Sequence, residues 1–181
     1  MSCCAAHCIP VLIQQNVDGS NFFNRSWAEF KVGFNDTRGN YWLGNDRISQ
    51  LTLSGNNYKL RFDLQLSSNL SWYWAEYIRF AVHDELRNYQ IQVSGFSGNV
   101  GGDAFGSQSG MMFTTYDRDN DPWKASKYGD NCAVYNGAGF WHNACTACSV
   151  NGIRGRGNDF RWSSPQTGSL RLQTSRMWIT C

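Results

Sequence analysis

The clearest periodic pattern in the chain lies between residues 58 and 66, where apolar and polar side chains alternate. The apolar set is Leu60, Phe62, Leu64 and Leu66, and the polar set is Lys59, Arg61, Asp63 and Gln65. Successive side chains of a strand point to opposite faces, so this alternation predicts a half-buried β-strand. Residues 74–82 and 89–93 predict its antiparallel neighbours, with a turn near residues 85–88.

A capping pattern precedes the sheet. Ser26 and Glu29 have the spacing of a capping box, in which serine accepts from the third helical N–H and glutamate reaches back to the cap. Gly33 then ends a short helix. Trp27 and Phe30 share one face of that helix and are assigned to the core rather than to a function.

Regular periodicity weakens after residue 94. Before that point, Asp46 is expected to cap a second short helix that runs through Ser49 and Leu51. Residues 95–169 are rich in glycine and are expected to be mostly loop. Residues 170–173 and 177–179 predict final strands that return to the sheet. The chain therefore divides into a sheet with short helices and a long irregular segment.

Composition narrows the class of protein. The chain has 181 residues, which suits a single domain, and its formal net charge is +2 with no basic run, which argues against nucleic-acid binding. No apolar stretch approaches the roughly 20 residues of a membrane-spanning helix. Aromatic residues make up 15% of the chain, enough to fill a core and pocket walls.

The run from Asp117 to Asp121 carries three carboxylates at alternating positions. Calcium takes six to eight oxygen ligands, and alternate loop residues can direct carboxylates to one centre. An EF-hand is excluded, because its sixth and twelfth positions need glycine and glutamate but hold Pro122 and Tyr128. From the run alone, an acidic surface turn without metal is an equally good interpretation.

Cysteines and sequons indicate the secretory route. The seven cysteines leave at least one thiol without an intrachain partner, and three Asn-x-Ser/Thr sequons begin at Asn24, Asn35 and Asn69. Cys145 and Cys148 form a C-x-x-C, but neither a thioredoxin-like context nor a second metal-binding pair accompanies it. Cys181 is a candidate partner either for Cys148 or for Cys8, and the pairing of Cys3 and Cys4 stays open.

Several motifs occur in the order found in one known family. They are Val17-Asp18-Gly19-Ser20, Trp27 to Phe34, Tyr41 to Asn45, Gly101 to Phe105, Phe113 to Asp121, Asn131-Cys132-Ala133, Gly139 to Cys145, and Asn151-Gly152. Together they resemble the fibrinogen C-terminal domain family, of the ficolin and tachylectin type, over about residues 13–179. The resemblance implies an α+β fold with a central twisted antiparallel sheet, short helices and a loop-rich, calcium-binding C-terminal subdomain.

The resemblance also implies a domain organisation. Residues 1–8 form an unassigned cysteine-rich segment, and residues 9–181 form the fibrinogen-like domain, with a sheet subdomain to about residue 94 and a loop-rich subdomain from about 95. The first eight residues do not have the pattern of a signal peptide. Relatives carry a further small N-terminal subdomain, and we expect it to be absent or replaced here.

The family comparison assigns roles around the acidic run. It gives the side-chain calcium ligands as Asp119 and Asp121 and the carbonyl donors as Trp123 and Ala125. Because the stretch after Asp121 is longer than in typical relatives, those donors can shift to residues 126–128. It pairs Cys132 with Cys145 and places a cis peptide bond between Asn131 and Cys132.

In ficolin-like relatives, a pocket beside the calcium loop binds acetyl groups on sugars. The matching positions depart from that pattern, with Asn136 in place of tyrosine and Thr146 in place of histidine. The candidate ligand-binding residues of this chain are Asn131, Cys132, Tyr135, Asn136, His142, Thr146, Arg154 and Arg156. The two arginines suit an anionic group by guanidinium hydrogen bonds, although a solvated basic loop is the slightly stronger interpretation.

The leading interpretation is a secreted, calcium-dependent lectin-like domain of innate-immunity type that binds acetylated or anionic glycans on microbial or host surfaces. The alternative is a protein–protein interaction module of the angiopoietin, tenascin or fibrinogen type. Expected partners are a glycan or a cell-surface glycoprotein, with a homo-oligomer left open. An enzyme is not expected, because the three histidines, His7, His83 and His142, lie in no nucleophile motif.

Overall fold

The computed structural model describes residues 9–55, 57–124, 129–145 and 147–180. Three α-helices are present in that part of the chain: α1 (Trp27–Val32), α2 (Asn45–Thr52) and α3 (Cys132–Asn136). The strands are β1 (Val11–Asn16), β2 (Phe34–Asn35), β3 (Tyr41–Trp42), β4 (Lys59–Leu66), β5 (Trp72–Val82), β6 (Ile91–Gly98), β7 (Cys148–Ser149), β8 (Arg161–Ser164) and β9 (Gly168–Thr180).

One antiparallel sheet organises the molecule. Its strand order is β2-β3-β1-β9-β4-β5-β6, and β8 pairs with both β7 and β9. The first half of β9 pairs with β8 and its second half pairs with β1 and β4. The last strand therefore joins the loop-rich part of the chain to the sheet. The sequence suggested two separate final strands, and the structure corrects this to one strand of 13 residues.

The alternating strand prediction is confirmed in β4, where every second side chain is buried. Leu60, Phe62 and Leu64 are fully buried against the helices and the loop-rich part. The predicted neighbours are also present, although β6 begins at Ile91 and runs on to Gly98, beyond the predicted end. A 3-10 turn at Glu85–Arg87 connects β5 to β6 where a turn was expected.

Helix α1 forms as the capping pattern predicts. The Ser26 side chain accepts from the Glu29 N–H, and the Glu29 carboxylate accepts from the Ser26 N–H at 2.9 Å. Gly33 ends the helix with φ of +94°, and a Cβ there would lie 2.5 Å from the Leu43 carbonyl oxygen. Only glycine meets both demands.

The predicted capping role of Asp46 is wrong. Helix α2 begins at Asn45, and Gly44 occupies the N-cap position without a side-chain hydrogen bond. Asp46 instead accepts a hydrogen bond of 2.5 Å from the Tyr89 hydroxyl. Asp46 therefore bonds to a distant residue in the β5–β6 connection, and not to the backbone at the start of α2 as the local pattern predicted.

An aromatic cluster joins the two parts of the chain. Phe113 lies 5.0 Å from both Phe30 and Trp141, measured between ring centroids, and 5.8 Å from Trp42. These rings come from α1, β3 and the loop-rich segment, and all four side chains are buried. Because burial of each ring removes a large apolar area from water, this cluster holds the acidic run close to the sheet.

A buried polar network supports the same junction. The Gln14 amide in β1 donates to the Val150 carbonyl at 3.1 Å and to the Asn151 side chain at 3.0 Å. Asn151 in turn donates to the Gly139 carbonyl at 3.0 Å. Buried amides need such partners, so β1, which the periodicity did not reveal, positions the part of the loop-rich region that contains Gly139, Val150 and Asn151.

Candidate functional site

The acidic run begins with a tight turn, in which Thr115 and Arg118 exchange backbone hydrogen bonds. Asp117 is committed to structure there, because its Oδ1 accepts from the Thr115 hydroxyl at 2.7 Å and from the Trp27 N–H at 2.9 Å. Trp27 is the first residue of α1, so a carboxylate at this helix start also opposes the helix dipole favourably. Asp117 therefore anchors the run to the sheet subdomain.

Arg118 forms a second anchor. Its guanidinium carbon lies 4.0 Å from the centre of the Trp27 ring, and it donates to the Asn88 side chain at 2.6 Å. Glu85 is 3.9 Å away. A cation stacked on a tryptophan face is stabilised by the ring quadrupole, so the run is fixed to α1 and to the β5–β6 connection.

The predicted calcium carboxylates lie next to each other. Asp119 is exposed, and its Oδ1 accepts from the Asp121 N–H at 3.2 Å. Asp121 is buried, with one oxygen accepting from the Trp123 N–H and the other from the Cys132 N–H, both at 2.9 Å. Burial raises the pKa of Asp121 to about 6, and the neighbouring Asp119 charge acts in the same direction.

The donor set fits a hard cation. Within the described part of the chain, neither Asp119 nor Asp121 has an ion pair with a basic side chain. A buried carboxylate beside a second one is unfavourable unless a cation compensates for the charge. Among the described residues, no group of three or more His, Cys, Asp or Glu side chains is placed to hold a metal ion. A cation at Asp119 and Asp121 would therefore also need backbone oxygens as ligands. Trp123 is described; Ala125 and residues 126–128 lie outside the described residues.

Helix α3 begins at Cys132, 11 residues after Asp121 along the chain. The Asn131 side chain caps it by accepting from the Ala133 and Val134 N–H groups, and its Nδ2 donates to the Thr115 carbonyl at 3.0 Å. A disulfide joins Cys132 to Cys145. The expected cis bond between Asn131 and Cys132 is wrong: no cis peptide bond occurs in the described residues. The Cys132 N–H is directed to Asp121 rather than into a pocket.

Two predicted pocket residues are core residues in the structure. Asn136 is 1% exposed, and its Oδ1 accepts from the Asn158 N–H at 2.9 Å. His142 is 2% exposed, its Nε2 is 2.9 Å from the Ala138 carbonyl, and burial lowers its pKa to about 4. The prediction that Asn136 and His142 contact a ligand is therefore corrected, because neither side chain is accessible. Thr146 lies outside the described residues.

The remaining predicted contacts separate into two places. Tyr135 is half-buried and packs on Trp123, with ring centroids 5.3 Å apart. Arg156 lies beside them and donates to the Val134 carbonyl at 2.7 Å. Arg154 instead donates to the Leu172 carbonyl in β9 at 3.3 Å. The two arginines have different partners, and the described contacts do not direct both at one anion.

The Trp123 side chain is a feature of the site that was not predicted from the sequence. Only the Trp123 backbone carbonyl was predicted, as a calcium donor, whereas the ring packs against the ring of Tyr135. A tryptophan two residues after the last carboxylate was a visible signal, but its neighbour is twelve residues further along the chain. Only the fold brings the two rings together.

Cysteines and sequons occupy distinct environments. Cys148 is buried in β7 without a disulfide partner among the described residues, and burial raises its pKa. Its candidate partner Cys181, like Cys3, Cys4 and Cys8, lies outside those residues. Asn24, Asn35 and Asn69 are all exposed, as glycosylation would require. No described helix combines the length and apolar character needed to cross a bilayer.

Comparison with known proteins gives a consistent result. A family model described as "Fibrinogen beta and gamma chains, C-terminal globular domain" matches residues 8–179. The chain is 38% identical to the rat fibrinogen alpha chain over 184 residues, covering 93% of this chain and 22% of that protein. It is 37% identical to human angiopoietin-related protein 2 over 176 residues, covering 93% and 34% respectively. It thus spans about a fifth to a third of these relatives.

Solved structures agree with the sequence comparisons. The fibrinogen-like globe domain of human ANGPTL2 superposes with a TM-score of 0.81 at 36% identity, covering 94% of this chain and 79% of that one. A lamprey fibrin D-dimer, solved in complex with the peptide ligand Gly-His-Arg-Pro-amide, gives a TM-score of 0.74 at 28% identity, covering 93% and 60%.

Proposed function

Because the chain belongs to the fibrinogen C-terminal domain family, we propose that it is an extracellular, non-enzymatic module that recognises a protein partner through its loop-rich part. The disulfide, together with three exposed sequon asparagines, supports a secreted protein. The observation that carries the proposal is a surface around α3, formed by Trp123, Val134, Tyr135 and Arg156. We refer to it as the α3 surface.

The α3 surface has the composition of a protein-binding site. Trp123 and Tyr135 are paired and half-buried, Val134 is 44% exposed, and Arg156 is exposed beside it. Tryptophan, tyrosine and arginine dominate the binding energy of protein interfaces. The paired rings are already ordered, so little side-chain entropy would be lost when a partner binds.

Calcium is the cofactor of this proposal. The Asp119 and Asp121 carboxylates would hold it, with carbonyl oxygens of Trp123 and Ala125 or of residues 126–128 as further donors. A bound divalent cation would supply the positive counter-charge that the buried Asp121 carboxylate lacks. Asp121 already accepts hydrogen bonds from the Trp123 and Cys132 N–H groups, so this one carboxylate links the acidic run to Trp123 and to the first residue of α3.

Peptide binding by a relative supports the protein-recognition assignment. The lamprey fibrin D-dimer holds the peptide Gly-His-Arg-Pro-amide. In this chain, the paired rings of Trp123 and Tyr135 and the exposed Arg156 offer contacts of the kind that bind a partner segment.

Glycan binding, the leading interpretation from the sequence, has less support. Asn136 and His142 are buried, and the Cys132 N–H is occupied by Asp121. Three of the candidate ligand contacts predicted from the sequence are therefore unavailable to an acetyl group. We retain a calcium-dependent lectin of innate-immunity type, as a monomer or homo-oligomer, as the second candidate.

The proposal is tested with a displayed panel of extracellular proteins, screened against the wild-type domain in calcium. Trp123→Ala and Arg156→Ala are expected to weaken a genuine partner at least about tenfold, as for hot-spot residues. Trp72→Ala is the matched control, because Trp72 is 43% exposed on β5, outside the α3 surface. Chelation of calcium should also weaken binding.

Two results would contradict the proposal. One is a partner whose binding survives both α3-surface substitutions but fails in the Trp72 control. The other is a glycan-array signal that N-acetylated sugars compete away and that Trp123→Ala abolishes, which would assign the surface to sugars. Melting curves of each variant establish that lost binding does not reflect unfolding.

A further inference from the structure

A cleft of about 320 Å³ lies away from the α3 surface, over the paired ends of β5 and β6. Its lining includes Thr52, Phe80, Ala81 and Val93. Polar side chains form its walls: Asn57, Tyr58, Arg79, Gln92, Ser94 and Ser109. A volume of this size falls at the lower end of the range for small-ligand sites, and no lining residue belongs to the acidic run or to α3.

The strand register builds this cleft. Arg79 is directly opposite Ser94, and Ala81 is directly opposite Gln92, in the β5–β6 pair. Residues directly opposite each other on neighbouring strands have side chains close together on the same face. The small Ala81 leaves room between the longer side chains, so Arg79, Ser94 and Gln92 face one shared space.

The two walls are fixed by backbone hydrogen bonds. On one side, the Tyr58 carbonyl accepts from the Phe80 N–H at 2.9 Å. On the other side, the Ser109 hydroxyl oxygen accepts from the Val93 N–H at 3.0 Å, which leaves its hydrogen free to donate. Both walls therefore stand at set positions beside the strands, and the cleft is already formed without a ligand.

The charge of the lining residues determines which class of ligand suits the cleft. Among the described residues that line the cleft, Arg79 carries the only charged side chain, and none carries a carboxylate. Within the described residues, the Arg79 guanidinium has neither an ion pair nor a hydrogen bond. A lone surface arginine is ordinarily only solvated, but here hydroxyl and amide donors surround it. Guanidinium hydrogen bonds to an oxyanion are among the stronger contacts available.

We propose that this cleft is a binding site for an acidic saccharide, with the oxyanion on Arg79 and sugar hydroxyls on the serine and amide side chains. The oxyanion is either a carboxylate or a sulfate ester. A sugar is favoured over an acidic peptide because the lining offers several neutral hydrogen-bonding groups and one cation. The site is separate from the α3 surface, so it stands or fails independently of the proposed protein recognition.

The test is an NMR titration of ¹⁵N-labelled protein with glucose 6-sulfate, glucuronate and, as the neutral probe, glucose. We expect the Arg79 Nε–H and the Ser94 and Ser109 amides to shift with an acidic sugar and not with glucose. The tighter of the two acidic sugars identifies the oxyanion. The same shifts should persist in chelator while the protein is folded.

Substitutions decide whether Arg79 is responsible. Arg79→Gln should weaken acidic-sugar binding about tenfold or more, and Ser94→Ala about threefold. Arg38→Gln is the matched control, because it removes the same charge from an exposed arginine on the β2–β3 connection and should leave binding within twofold. Unchanged melting temperatures confirm that the variants are folded.

Three outcomes would overturn the proposal. Absence of shifts with both acidic sugars would remove the site. Equal loss in the Arg38 and Arg79 variants would reduce the effect to net charge. If the tripeptide Gly-Glu-Gly bound at Arg79 as tightly as the better sugar, the cleft would be an acidic-peptide site instead.

Discussion

Replacement of Asp121 by asparagine tests the calcium proposal most directly. The side chain keeps its shape but loses its charge. The carboxylate now accepts from the Trp123 and Cys132 N–H groups, each through a different oxygen. Asparagine has one acceptor oxygen and one amide nitrogen, so it can satisfy only one of these two donors.

In chelator the variant and the wild type should have similar stability, because two effects oppose each other. Loss of one hydrogen bond to a charged group costs about 1.5–3 kcal/mol. Removal of a buried charge whose pKa is raised from 3.8 to about 6 is worth roughly 1–3 kcal/mol near neutral pH, since each pKa unit is about 1.4 kcal/mol and solvent screening reduces it. The net difference should stay within about 2 kcal/mol.

In calcium the two proteins should separate. Extracellular calcium modules bind with dissociation constants of about 10⁻⁴–10⁻³ M. At about 10 mM calcium, this affinity stabilises the folded wild type by about 1.4–2.7 kcal/mol. For a protein of this size, the melting temperature would rise by about 3–11 °C. The variant should show no such rise, because one of its two carboxylate ligands is gone.

The pH dependence of folding stability in chelator gives a second, independent test of the Asp121 charge. The folded pKa of Asp121, about 6, is above the unfolded value of 3.8, so the folded protein binds more protons between these two pH values. Its stability therefore falls as pH rises from about 4 to about 6. Asp121→Asn lacks this titration, so wild-type stability minus variant stability should decrease over that interval and level off above it.

Scanning calorimetry in calcium and in chelator, repeated from pH 4 to pH 8, measures all of these quantities. Asp63→Asn is the control, because Asp63 pairs with Arg61 on β4 and should leave the calcium effect unchanged. A wild-type melting temperature that is insensitive to calcium would contradict the proposed calcium site. So would a variant that calcium stabilises as much as it stabilises the wild type.

Three further substitutions test how the loop-rich part is attached. Phe113→Ala should lower the free energy of unfolding by about 3–5 kcal/mol in urea titrations, because the ring packs against Phe30 and Trp141 in a dry core; a loss under 1 kcal/mol would contradict this packing. Asn131→Ala should cost about 1–2 kcal/mol through loss of the α3 cap, and an unchanged melting temperature would show that the cap is dispensable. Arg118→Gln should cost about 1–2 kcal/mol by removing the cation from the Trp27 face, whereas an equal loss in the distant Arg38→Gln would point to net charge.

Local patterns accounted for much of the sheet subdomain. The alternation of β4 and the Ser26–Glu29 capping box involve residues two to four apart, and the structure confirms both. The failures came where a distant partner competed with a local one. Asp46 had the spacing of a cap, but the Tyr89 hydroxyl, 43 residues away, holds it.

The candidate site shows the same division more strongly. The acidic run and the two cysteines of the disulfide were recognisable from the sequence, chiefly through the family resemblance. The role of each carboxylate was not recognisable. Asp117 accepts a hydrogen bond from the Trp27 N–H, 90 residues earlier, and Asp121 accepts one from the Cys132 N–H. Backbone donors carry no sequence signature, so such partners are invisible until the chain is folded.

Motifs and periodicity were enough to predict the fold family, the buried face of strand β4 and the residue types available for a cation and for a disulfide. The central positions of β1 and β9 in the sheet, the burial of His142 and the contact between Trp123 and Tyr135 emerge only from the folded chain. The two groups of features differ in the sequence distance between the residues that produce them. Side-chain periodicity and helix caps depend on neighbours within a few residues, whereas burial and hydrogen-bond partnership depend on which distant segments exclude water together.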